Sequence, residues 1–107
     1  MLLNAVVDDQ SFPVEVPDEM LEQAGEFFEQ MDRDMDRGCQ IGRDWVESPD
    51  RNQRCQVVAD RLLTALENRN PSMMIMMAGY ILSRLPEVTA VTIDSSGDPS
   101  ATWFHTG

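Results

Sequence analysis

Two helix-start signals divide the middle of this chain and leave little freedom for what surrounds them. Ser48-Pro49 and Asn70-Pro71 each set a side-chain oxygen directly before a proline. That oxygen takes a free N–H of the first helical turn, and a proline at the first helical position gives up only an N–H that has no partner there. The pair predicts one helix over residues 49–69, with Ser48 as its cap, and another over residues 71–84. In the first, Cys55, Val58, Ala59, Leu62, Ala65 and Leu66 recur at the helical period and form its buried stripe. In the second, apolar residues from Met73 to Leu82 leave no polar face, so burial on most sides is expected. Leu85-Pro86 ends it.

Upstream, Pro17-Asp18-Glu19 opens a further helix, because early acids suit the positive end of the helix dipole. Apolar residues at 20, 24, 27, 28, 31 and 35 follow, and the pattern runs on through Gly38, Gly42, Trp45 and Val46. A helix over residues 18–47 is therefore expected. It would be ~43 Å long at 1.5 Å per residue, against a diameter of ~33 Å for a compact chain of this size. Either the helix breaks near Gly38, or its overhang is buried against a second copy. Gly38 and Gly42, four residues apart, permit close helix approach. Trp45 beside them is an anchor of the kind that interfaces favour. These three residues are the candidate interface, with an intramolecular crossing as the alternative.

The two ends read as strands. Residues 1–16 are extended, with a turn at Asp8-Asp9-Gln10-Ser11 and with Pro13 demoting the following segment to an edge. Residues 88–104 read as a β-hairpin turning over Asp94 to Pro99, with a frayed tail over 105–107. The expected fold is a single α+β domain over residues 1–107. It is helix-dominated: a three-helix bundle with a small antiparallel sheet formed by the N-terminal extended segment and the C-terminal hairpin.

Charge limits the partners. The 107 residues include 19 acids against 8 basic residues, all of them arginine, for a formal charge of -11. Nucleic-acid binders concentrate cations to displace counterions, so no nucleic acid is expected, and an anionic membrane is disfavoured in the same way. No basic stretch precedes the short apolar start, and Asp8-Asp9 ends it; a cytoplasmic protein with reduced thiols is the expectation.

Reactive constellations are sparse. Asp32-Arg33-Asp34-Met35-Asp36-Arg37 resembles a calcium loop only at its start, because the glycine and glutamate positions are both occupied by arginine. His105 is the sole imidazole and sits close to the chain end, and no glycine loop is spaced to cradle phosphate. No catalytic residue, cofactor or metal site is expected, and the chain does not read as an enzyme. Cys39 and Cys55 would face each other across a helical hairpin turning at Ser48-Pro49. They are read either as a reversible redox pair or as two reduced, buried thiols. Met73, Met76 and Met77 are the candidate lining of a pocket or adaptable groove.

The functional expectation is a small acidic protein that acts through protein–protein contacts and self-associates, with a homodimer as its simplest form. Two alternatives stand beside it. One is a small-molecule or soft-metal binder with its site in the Met- and Cys-lined helical core. The other is an inhibitor that presents the acids of the first helix, Glu19, Glu22, Glu26, Glu29, Asp32 and Asp36, to a basic partner.

Overall fold

The computed structural model describes residues 1–96 and 98–106. Gly97 of the expected turn and Gly107 of the expected tail lie outside the described residues. The chain opens with a hairpin, β1 (Leu2–Val7) and β2 (Gln10–Glu15). Its two-residue turn holds Asp8 and Asp9 at φ 50° and 66°, the left-handed pair that matches the twist of the flanking strands. Leu3, Ala5 and Val14 point into the core, and Pro13 sits on the outer strand, where no ladder N–H is needed.

Two helices follow where one was expected: α1 (Asp18–Gln23) and α2 (Gly25–Asp36), with Ala24 between them. The expected helix over residues 18–47 is overturned beyond Asp36. Gly38 takes φ +105°, and the chain enters a second, small hairpin: β3 (Cys39–Ile41) pairs with β4 (Asp44–Val46) around Gly42 at φ +61° and Arg43. Positive φ is cheap only for glycine, so both glycines serve a turn and neither serves a helix crossing. The overhang disappears with the long helix. The molecule measures 33 × 32 × 28 Å, and α1 and α2 together fit within it.

The next helix, α3 (Arg51–Glu67), begins two residues later than expected. Its cap is Asp50, not Ser48: Asp50 accepts from Gln53 N at 2.8 Å, and Gln53 Oε1 accepts from Asp50 N at 2.9 Å. This reciprocal box satisfies two donors, and Ser48 is left in the turn at φ 50°. At the far end, Arg69 takes φ 52°, and Asn70 N donates to Ala65 O at 3.0 Å, a Schellman closure built on arginine. α4 (Pro71–Arg84) starts as expected, with Asn70 Oδ1 accepting from Met73 N at 3.2 Å.

β5 (Val88–Thr92) and β6 (Trp103–Thr106) form the expected C-terminal hairpin, interrupted by a 3-10 turn over Pro99–Ala101. His105 and Thr106 belong to β6, so they are not a frayed tail. The four-stranded sheet has the order β2-β1-β5-β6. It is mixed, not antiparallel, because β5 returns from the helices alongside β1 in the same direction, with Ala5 opposite Val91. The expected three-helix bundle is not found: the described residues form four α-helices beside this sheet. One continuous core joins Leu3, Val14 and Val91 of the sheet to Phe28, Leu62 and Ile81 of the helices. Among the described residues, no helix is long and apolar enough to cross a membrane.

Candidate functional site

Three helical stripes converge on an open cleft. α2 contributes Phe27, Gln30, Met31 and Asp34; α3 contributes Arg61, Thr64 and Ala65, with Asn68 at its C-cap; α4 contributes Met73 and Met77, with Asn70 at its N-cap. Within α2 and α3 the spacing is i, i+3, i+4, i+7, so each set lies along one helix face. The cleft encloses about 500 Å³, within the range that holds a ligand or a partner's side chains. Phe27 and Met73 stand at its rim, 45% and 41% exposed, while Met31 and Met77 form its buried floor. A hydrogen-bonded chain runs along the α2 side, with Arg33 donating to Gln30 at 2.8 Å and Gln30 donating to Asp34 at 2.9 Å.

Of the expected pocket residues, Met73 and Met77 line this cleft together. Met76 does not; it is half-buried against the core. Phe27 falls on the apolar period of the first helix, yet its ring is nearly half exposed. The α3 wall carries no apolar stripe beyond Ala65, so no sequence pattern announced it.

The candidate interface residues come together in a different way from the one expected. A Cβ built on Gly38 would lie 2.7 Å from the Trp45 indole, so the ring covers Gly38 within the β3–β4 hairpin. Trp45 itself is 61% exposed. Gly42 faces Asp98 Oδ1, which would be 2.8 Å from a Cβ there. The two glycines thus make room for a ring and a carboxylate of their own chain.

Cys39 lies on β3 and is half-buried; Cys55 lies on α3 and is fully buried; both are free thiols. The helical hairpin that would have set them face to face is absent, because β3 and β4 occupy that stretch. Burial pushes the Cys55 thiol up to about 12, and burial also raises Cys39 against the opposing pull of Arg61. Neither is primed as a thiolate at neutral pH. Among the described residues, no three His, Cys, Asp or Glu side chains are grouped to hold a metal ion.

A second constellation was not anticipated. Asp32, expected on the solvent face of the first helix, turns inward beneath Tyr80 and Arg84 of α4. Arg84 donates from Nε at 3.0 Å and from its second terminal nitrogen at 2.6 Å to Asp32 Oδ2, and the Tyr80 hydroxyl donates to Oδ1. The Arg84 guanidinium also lies over the Tyr80 ring, 5.1 Å from its centre. Burial, and then the hydrogen bond to Asp32, raise the Tyr80 pKa, so its hydroxyl stays protonated as a donor. Arg54 of α3 approaches Asp32 at 3.5 Å and the more exposed Asp36 at 3.3 Å. The residues stand on three separate helices; Asp32 reads locally as part of a charged outer face, and Tyr80 as part of the apolar run from Met73 to Leu82.

The sequence matches no protein-family model, and neither curated proteins nor solved structures give a match to it.

Proposed function

We propose that this chain is a cytoplasmic docking module, not an enzyme, and that its cleft between α2, α3 and α4 receives apolar side chains from a basic partner segment. The observation that carries the reading is the pair Phe27 and Met73, left nearly half exposed at the rim of an apolar cleft. Methionine adapts its shape to different apolar surfaces, and a helix laid in a groove offers anchors at the spacing these walls present. The charge of -11 selects the partner: a cationic amphipathic segment is attracted, and an acidic one is repelled.

The test is titration of a fluorescent, helical Leu/Lys peptide against the wild type and a Phe27→Ala/Met73→Ala double variant at physiological salt. Saturable binding that the double variant weakens by about tenfold or more supports the reading, since two buried anchors contribute at least that much. Equal binding to both proteins reduces it to surface charge, and binding of a small apolar molecule in preference to the peptide makes the cleft a ligand pocket.

Self-association is favoured by a different surface. The outer face of the sheet carries Leu2, Val6, Ala90 and Trp103, the last 63% exposed, and Glu15 is the one acid its paired rows contribute among the described residues. Two copies of so acidic a chain repel over most of their surface, and a face that carries a single acid lowers that repulsion. Trp103→Asp should abolish any dimer seen by sedimentation; a dimer that persists places the contact elsewhere.

A further inference from the structure

The Asp32 constellation surrounds a cavity of about 110 Å³ lined by Asp32, Arg51, Arg54, Tyr80 and Arg84. At ~30 Å³ per water this is the room of three or four waters, or of one tetrahedral oxyanion. Three of the chain's eight arginines converge here, in a molecule that is otherwise strongly acidic. Arg84 is satisfied by Asp32. Arg54 is not: its Nε is buried and has no hydrogen-bond partner among the described residues, and its ion-pair distances are long. Arg51 forms no ion pair with a described carboxylate and leaves its donors free at the mouth. A buried guanidinium donor without an acceptor is costly, and the missing acceptor is most simply an anion.

We infer that this cavity binds a phosphate group, held by Arg54 Nε and Arg51, while Arg84 and Tyr80 engage the Asp32 carboxylate that also lines it. Arg51 and Arg54 stand three residues apart at the start of α3, so both guanidinium groups lie on one helix face and can reach the same anion. A neighbouring hollow of about 210 Å³ shares Arg51 and Arg84 and continues past Leu85 and Pro86. It gives a phosphate monoester room for a small organic tail. The site is separate from the docking cleft, since the two share no lining residue.

The test titrates inorganic phosphate and, separately, glycerol phosphate, each at constant ionic strength against chloride. It follows the phosphorus-31 line and the Arg54 Nε–H resonance. Saturable binding in the low-millimolar range or tighter is expected, with the Arg54 Nε–H signal shifting as it gains an acceptor. Arg54→Gln should weaken binding by about tenfold or more, the loss of one charge-assisted contact. Arg51→Gln changes an exposed side chain and tests the site without threatening the fold; it should weaken binding several-fold. Tighter binding of glycerol phosphate assigns the site to phosphate monoesters, and tighter binding of inorganic phosphate assigns it to the free ion. No saturation above the chloride control, or equal binding by both variants, overturns the inference and leaves the cluster as an ionic brace between helices.

Discussion

Asp32 on α2 and Arg84 at the end of α4, 52 residues apart in sequence, are joined by two hydrogen bonds of 3.0 and 2.6 Å to one carboxylate oxygen. This contact ties the acidic helix to the most apolar one, and Arg54 of α3 approaches the same carboxylate at 3.5 Å. Breaking a buried pair by removing one partner costs more than the pair contributes, because the other charge is stranded.

Asp32→Ala should therefore destabilise the fold by ~2–3 kcal/mol, below the full cost for a buried pair because these side chains remain about a quarter exposed. Tyr80→Phe, which removes only the hydroxyl, should cost ~1 kcal/mol. Urea denaturation with unchanged slopes measures both. A loss under ~0.5 kcal/mol for Asp32→Ala would show that the contact behaves as a surface pair.

The thiols give a prediction in pH. Below pH 9 the Cys55 thiol is protonated in both folded and unfolded chains and contributes no pH dependence. Between 9.0 and about 12 the unfolded thiol ionises while the buried one holds its proton. Stability should therefore fall as pH rises through that window, by up to ~1.4 kcal/mol per pH unit from this group. Cys55→Ala should lose that component of the slope. In the folded wild type, a thiol reagent at pH 8 should modify Cys39 and spare Cys55; equal rates would contradict the burial order.

Gly38 separates the hairpin from the continuous helix by the sign of one substitution. In a helix, Gly38→Ala would stabilise by ~1 kcal/mol. At φ +105° beneath the Trp45 ring it should destabilise by ~1–2 kcal/mol and displace the indole, with a shift in tryptophan emission. Trp45→Ala alone should cost under ~1 kcal/mol, because the ring is mostly exposed.

The cleft predicts outcomes of different size for two methionines one helical turn apart. Met73→Ala should leave stability within ~1 kcal/mol, since its side chain stands at the rim. Met77→Ala removes a buried floor and should cost ~2–4 kcal/mol. Thermal denaturation of the two variants side by side checks this.

What could be read from the residues was local. The Asn70-Pro71 start, the Cys55 to Leu66 stripe and the two terminal strand regions all announce themselves within a few positions, and the structure places them there. The break after Asp36 was hidden because Gly38, Gly42, Trp45 and Val46 continue a helical period. The alternation of Cys39, Gln40 and Ile41 is too short to compete with it. The parallel pairing of β1 with β5 depends on how four helices return the chain, which no local signal carries. For the site, Met73 and Met77 were legible because methionine clusters stand out on an apolar helix. The α3 wall and the arginine cavity were not, because Arg51, Arg54, Arg61, Thr64 and Arg84 look like ordinary solvent-facing positions until three helices bring them together.

The most direct test of the docking cleft uses the eight methionines as reporters. Carbon-13 methyl spectra of the protein would be recorded while the helical Leu/Lys peptide is added. The account predicts that Met31, Met73 and Met77 shift together and saturate, while Met1 and Met35 stay in place. Shifts spread evenly over all eight, or confined to methionines outside the cleft, would contradict it.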